Sequence, residues 1–333
     1  MDRMDYIQAV TRTRVLETRL LSRARIERMV DAKDMEEVLK VLGETEYSNV
    51  MGGLTRVEDY EKILSSELKR VYELMYEMSK DKIVVDLLAL KYDYHNLKVL
   101  VKEKVLNQDL SDMYVPISTT DFQRLKSDYQ TDNLRDMDPR FREALEEVER
   151  DYNENQDPQR IDILLDRFYF KHLYDLAKET DIPLFIKYVK DLIDFTNIRT
   201  LIRVKKQKKD MKFLEEVLLP NGNINVEELV LSLNDPIEVI IHKYRHYDIS
   251  PEIRKGLEIY QNTSRLSEFE RLMDDYLMEL NKPSKYVNFG PEPLFSYIVA
   301  KETEVKILRI IMVSKINKLS PEEIRERLRD LYV

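Results

Sequence analysis

The sequence predicts an all-α protein of three pseudo-equivalent helical subdomains, and three observations carry that prediction. A helical motif of ten residues recurs at intervals of about one hundred residues, a period too long for tetratricopeptide or HEAT arrays and suited to a few related subdomains. Helix starts are marked by proline directly after Asp or Ser, a side chain that caps followed by a ring that tolerates the first helical position. No segment alternates apolar and polar residues as a half-buried strand would. Approximate boundaries for the three repeats are 1–115, 116–223 and 224–333.

The motif is clearest at Asp194-Phe195-Thr196-Asn197-Ile198-Arg199-Thr200-Leu201-Ile202-Arg203. An upstream copy, Asp93-Tyr94-His95-Asn96-Leu97-Lys98-Val99-Leu100-Val101-Lys102, matches it in type at nearly every position. A looser third copy, Lys301-Glu302-Thr303-Glu304-Val305-Lys306-Ile307-Leu308, keeps the polar-x-basic-x-Leu core, and Glu17-Thr18-Arg19-Leu20-Leu21 is a fragment of a fourth. Leu97, Leu100 and Val101, like Ile198, Leu201 and Ile202, fall at spacings of three and four, which puts an apolar stripe on one side of a helix. The basic residues Lys98, Arg199 and Lys306 point away from it. Asn96 and Asn197 sit at the stripe's edge, where an unpaired amide would cost about 1–3 kcal/mol. They read as satisfied amides that fix how the motif helices meet their neighbours, ahead of direct ligand contacts.

In chain order, residues 3–30 read as one long amphipathic helix. Asp34 caps a short helix through Glu36-Glu37-Val38-Leu39 that stops at Gly43, and Thr55 with Glu58 forms a capping-box pattern starting the next. The first motif copy occupies a helix over 93–104. Prolines 139, 158, 236, 251 and 321 then mark helix starts, with further helices near 121–130, 182–206, 226–233, 265–281 and 293–317. Asp151–Gln156 and Pro220–Asn223 read as exposed connections.

A chain of 333 residues, 43% hydrophobic and 35% charged, with only 6 Gly, has the composition of a folded, helix-rich protein. Its formal net charge of −9 argues against general attraction to nucleic acid or anionic lipid. Absent cysteine excludes disulfides, a thiolate nucleophile and cysteine-ligated metal sites. The N-terminus lacks a signal-peptide core and no apolar run approaches the length of a membrane span, so any meeting with a membrane is expected to run through a partner.

Chemistry is sparse. There is no phosphate-binding Gly-x4-Gly-Lys-Ser/Thr loop. His242 and His246, four apart with Asp248 nearby, could present two nitrogens on one helical face, but the Glu of a His-Glu-x-x-His motif is missing and surface histidines are the plainer reading. Arg203, Lys205, Lys206, Lys208 and Lys209 form the one dense basic cluster. A solvated helix C-terminus explains it, and contact with an acidic partner is the sharper alternative. The Glu pairs at 36–37, 215–216 and 322–323 are expected in first helical turns, where carboxylates are favoured. His95 and His172 are isolated and read as structural. No catalytic residue, cofactor site or metal site emerges.

Tyr6, Arg12-Thr13-Arg14 and Leu20-Leu21-Ser22 are followed by Leu42-Gly43-Glu44-Thr45-Glu46-Tyr47, the two Asn motifs, Lys301-Glu302-Thr303-Glu304, and Ser320-Pro321-Glu322-Glu323. In this order and spacing the chain resembles the C subunits of the V-type (archaeal and bacterial A/V-type) rotary ATPases, similar to the d subunit of the eukaryotic V-ATPase. Glu304 stands where the other copies have asparagine, a departure in the third subdomain. The resemblance implies a funnel-shaped, all-helical protein with pseudo-threefold symmetry and no active site. It would be a rotor component on the cytoplasmic side of the membrane, peripheral and without a span of its own. Its partners would be the D and F subunits of the central shaft and the membrane rotor ring of proteolipid subunits, between which it passes torque for ion-transport-linked ATP synthesis or hydrolysis. The competing expectation is a helical adaptor of an unrelated soluble complex, and a nucleic-acid-binding repeat is disfavoured by the acidic balance.

Overall fold

Apolar residues at spacings of three and four, a polar side chain at most helix starts and very little glycine produce one kind of element here. The computed structural model describes residues 1–52 and 59–333, and among these every regular element is helical. In order they are α1 (Ile7–Glu17), α2 (Arg23–Asp31), α3 (Met35–Leu42), α4 (Tyr60–Met78), α5 (Ile83–Leu106), α6 (Phe122–Gln130), α7 (Pro139–Asn155) and α8 (Pro158–Thr180). Then follow α9 (Pro183–Lys206), α10 (Met211–Val217), α11 (Val226–Leu231), α12 (Ile237–Lys243), α13 (Ser250–Thr263), α14 (Ser267–Asn281), α15 (Glu292–Ile316) and α16 (Pro321–Arg325), with short 3₁₀ turns between. No helix among the described residues is long and apolar enough to cross a membrane.

The caps behave as their chemistry requires. Asp34 accepts from Glu37 N, and Asp138 and Asp157 cap α7 and α8 with proline next in line. Ser320 and Glu323 close a reciprocal capping box around Pro321. Two proline starts shift by a residue: Pro236 is itself the N-cap of α12, and α13 begins one residue ahead of Pro251. The expected capping box of Thr55 and Glu58 lies outside the described residues.

The chain divides into two compact units. The first joins Met1–Leu88 to Glu270–Val333, so the two ends of the chain share one body. Its axis is α15, which packs on α1, α3 and α4 while α2 packs on α3 and α16. Tyr6, Met29, Val71, Phe295, Ile298 and Ile311 are all essentially inaccessible there. The second unit, Ala89–Phe269, packs α7 on α8, α8 on α9, and α10 and α11 on α9. Tyr129, Tyr244, Phe141, Phe185 and Phe195 are among its largest interior groups, and Phe195 meets Phe269 edge-on at 5.9 Å.

Three local expectations are corrected. Residues 3–30 are not one helix: the backbone breaks between Glu17 and Arg23, where Ser22 caps α2 and Leu20 and Leu21 turn inward. The motif fragment at 17–21 is therefore mostly a turn. Asp151–Asn155 is the last part of α7 rather than a connection, and Asp151 is fixed there by Arg160 at 2.6 and 2.7 Å. Glu215 and Glu216 lie late in the seven-residue α10, not in its first turn, and Glu216 pairs with Arg160.

Candidate functional site

The recurring motif lies on the three longest helices, α5, α9 and α15, and in each its polar residues grip a segment remote in sequence. On α9, Asn197 donates its amide to Leu219 O at 2.8 Å and accepts from Leu219 N at 2.8 Å, satisfying both polar backbone groups of one residue. One turn earlier, Asp194 accepts from Asn223 N and Ile224 N at 2.9 and 3.0 Å. Burial raises the Asp194 carboxyl, while the two backbone N–H groups and the Asn223 amide pull it back. The loop 218–225 is thus exposed in part and yet pinned at two points to α9. Gly222 is required here, because a Cβ at that position would collide with Asp194 Oδ1.

On α5 the same two positions perform the same task. Asn96 makes the reciprocal pair with Val115, N to Oδ1 and Nδ2 to O, both at 2.9 Å. Asp93 accepts from Thr119 N at 3.1 and 3.2 Å, from the Thr119 hydroxyl at 2.6 Å and from Ser118. Both motif asparagines are fully buried.

The third copy exchanges the chemistry. Lys301 occupies the Asp position and Glu304 the Asn position, both nearly inaccessible. Glu304 Oε2 accepts from Leu21 N at 2.6 Å, and Oε1 accepts from Tyr47 OH and Lys301 Nζ, each at 2.8 Å. Lys301 also pairs with Glu67 at 3.0 Å and lies over the Tyr47 ring at 4.7 Å, while Arg70 holds Glu67 from outside. Burial alone pushes Lys301 down, and Glu304, Tyr297 and Glu67 more than offset it, so the ammonium is held above its usual value. The segment gripped by this copy is the turn at Leu21, from the opposite end of the chain.

Two positions after each polar residue stands the basic one. Lys98 reaches Asp166 on α8 at 2.6 Å, Lys306 pairs with Asp274 on α14, and Arg199 is half-buried on α9. The basic cluster lies at the end of α9. Lys205 donates to Leu233 O at 2.8 Å and Lys206 to Ser264 O at 3.0 Å, tying the helix end to neighbouring turns. Arg203, Lys208 and Lys209 are exposed, with Lys209 beside the Phe213 ring and Lys208 in the left-handed region at φ 56°.

The histidine pair does not share a helical face. α12 stops at Lys243, so His242 is on the helix beside Arg245 and His246 lies in the turn beyond. Among the described residues no group of His, Asp and Glu has the arrangement to hold a metal ion. His172 is buried between Tyr94 OH at 3.3 Å and Arg140 at 2.9 Å, and burial with the Arg140 charge lowers it to about 4. His95 Nε2 meets Met113 O at 2.9 Å.

Sequence reasoning did not reach Glu67, and it named Tyr47 and Lys301 only within longer stretches, without a role of their own. The signal available was the third copy itself, in which a lysine takes the place of an aspartate three residues before Glu304. Taken together the motif residues are fasteners, two copies holding segments of the second unit to α5 and α9 and the third holding the N-terminal segment to α15 in the first.

Comparison with known proteins gives this arrangement a context. Residues 9–327 match the family model described as ATP synthase (C/AC39) subunit. The C subunit of the V-type sodium ATPase of Enterococcus hirae is 27% identical over 99% of this chain and 99% of its own length. The C subunit of the A-type ATP synthase of Methanocaldococcus jannaschii is 26% identical, covering 99% of this chain and 88% of its own. That of Thermococcus kodakarensis is also 26% identical, over 95% and 88% respectively.

Proposed function

The chain belongs to the ATP synthase (C/AC39) subunit family, the non-catalytic C subunits of V- and A-type ATPases, and from that membership we propose that it couples a central shaft to a membrane rotor ring. In this reading the D and F subunits of the shaft and the proteolipid ring are its partners, and it sits peripherally on the cytoplasmic side. The observation that carries the reading is the family match across nearly the whole chain. The three repeats, 1–115, 116–223 and 224–333, would be disposed about a pseudo-threefold axis as a funnel.

Torque transmission asks for a body that deforms little. The Asp–Asn grips support that role, because a loop held by both of its backbone groups has few alternative positions. Arg203, Lys205, Lys206, Lys208 and Lys209 are the proposed contact for an acidic partner surface. The test is a pull-down of the purified protein with the D–F shaft and with detergent-solubilised ring. One copy binding both at once is the expected result. Binding to neither by a protein with full helical circular dichroism would overturn the coupling role. Charge reversal at Lys208 and Lys209 that leaves both associations untouched would remove the cluster from the interface.

A further inference from the structure

Helix α1 has two finished sides. Ala9, Val10, Thr13 and Glu17 are buried, whereas Met4 just ahead of the helix, Ile7 and Val15 are 57, 42 and 52% exposed, in one row with Thr11 at spacings of three and four. Beside this row runs the loop 284–290, fastened at both ends by arginines from the N-terminal segment. Arg3 donates to Phe289 O at 2.8 Å, and Arg14 donates to Ser284 O at 2.7 Å and Val287 O at 2.6 Å. Gly290, at φ 108°, permits the approach, since a Cβ there would strike the Arg3 guanidinium. The fastened loop displays Tyr286, 85% exposed, and Phe289, 47% exposed.

We propose that the α1 row and this loop form a docking surface for an α-helical protein segment carrying an apolar ridge flanked by carboxylates. A tyrosine and a phenylalanine on a fixed loop lose little freedom on contact, which is the condition under which aromatic anchors contribute most. A row at spacings of three and four accepts the ridges of a second helix. The flanking charge selects a carboxylate-bearing partner. Arg12 and Arg19, about half exposed, reach Glu77 and Glu46 only at 3.5 Å, so both forks have donors to offer although the chain as a whole is acidic. Guanidinium forks pair with carboxylates bidentately and are enriched at protein interfaces where lysine is depleted. An anionic lipid surface fits less well, because Asp2, Asp5 and Glu77 are exposed among the same residues. This inference does not require the rotor reading.

The test places the photoreactive residue p-benzoylphenylalanine at Tyr286, and separately at Ile7, in the full chain assembled in its membrane complex. After irradiation, both positions are expected to crosslink to one helical segment of another polypeptide, with Asp or Glu beside the crosslinked residue. The exchange of Arg12 and Arg19 for Glu is expected to cut the yield at least ~10-fold, with an unchanged helical spectrum. Adducts with lipid, with a second copy of this chain, or with no polypeptide would overturn the proposal, as would a yield indifferent to the charge reversal. A crosslink to a stationary component of the complex would support the docking surface and refute the rotor reading. A crosslink to shaft or ring would support both.

Discussion

Replacement of Asn197 by Ala should damage the fold more than the same change at Asn96, although the two residues occupy the same place in the motif. Each asparagine makes two hydrogen bonds to one backbone residue, worth about 1 kcal/mol net apiece, and each loss also strands the groups left behind. The difference lies in the recipient. Leu219 is 4% exposed, so its N–H and C=O would be left in the interior, at about 1–3 kcal/mol for an unsatisfied group. Val115 is half-exposed, and water can take the place of the amide. The expected costs are therefore about 2–5 kcal/mol for Asn197→Ala and about 1–2 kcal/mol for Asn96→Ala. Native-state amide exchange reads these locally, since each 1.4 kcal/mol is about tenfold in opening. The amides of Leu219, Asn223 and Ile224 should exchange at least ~30-fold faster in Asn197→Ala, and those of Val115 and Thr119 roughly tenfold faster in Asn96→Ala. Equal effects, or unchanged exchange at Leu219, would refute the argument from burial.

Three further outcomes follow from the same geometry. His172 is held near 4 against about 6.5 when unfolded, so the unfolded chain binds its proton first and stability falls as pH drops from about 6.5 toward 4, by up to about 3 kcal/mol. Urea midpoints measured across that range should flatten in His172→Gln, and an imidazole resonance for His172 that titrates near 6.5 in the folded protein would contradict the assignment. Lys301→Met strands Glu304 and Glu67 in a dry site and should cost about 3–5 kcal/mol, as in broken buried ion pairs, whereas the further change Glu304→Gln should recover part of it. A double variant no more stable than Lys301→Met, by denaturant melt, would argue against charge as the cause. Gly222→Ala drives a methyl into Asp194 and should cost about 1–3 kcal/mol, read as faster exchange at Asn223 and Ile224, and unaltered exchange would show that the loop yields freely.

The fold was largely legible because its signals are local. Asp34, Asp138, Asp157 and Ser320 cap helices by contacts within three residues, and the stripes of α5 and α9 repeat within a turn or two, so a linear reading reaches them. The break at 18–22 was not legible, because nothing in Thr18-Arg19-Leu20-Leu21 forbids a helix. α1 tightens into three-residue turns at Arg19 and Leu20, and the Leu21 N–H goes to Glu304, far along the chain, so it is not given to the preceding turn. His246 leaves its helix for a local reason, since beyond Lys243 the backbone bonds tighten to three-residue turns, Arg245 N to His242 O and Tyr247 N to Tyr244 O, as the chain runs toward α13. The role of Asn96 and Asn197 was visible as a demand for partners. Which backbone groups answer it depends on loops of different length on α5 and α9, and composition carries no record of that.

The substitution in the third copy has its own physical logic. An asparagine can both donate and accept, and so it saturates one backbone residue lying against it, as at Val115 and Leu219. A glutamate only accepts, but it is longer by a methylene and has two oxygens to place. Glu304 uses one on Leu21 N and the other on Tyr47 OH, and so joins two separate stretches of the N-terminal segment to α15 where an asparagine would hold one. A lone buried carboxylate would be prohibitive. The lysine at the Asp position supplies the counter-charge, Glu67 shares it, and Arg70 closes the series toward solvent. Because Leu21 and Glu304 lie near opposite ends of the chain, this one position must fasten segments that no short connection brings together. A stronger and less local grip is what such a position requires, and it is where the motif departs from its own pattern.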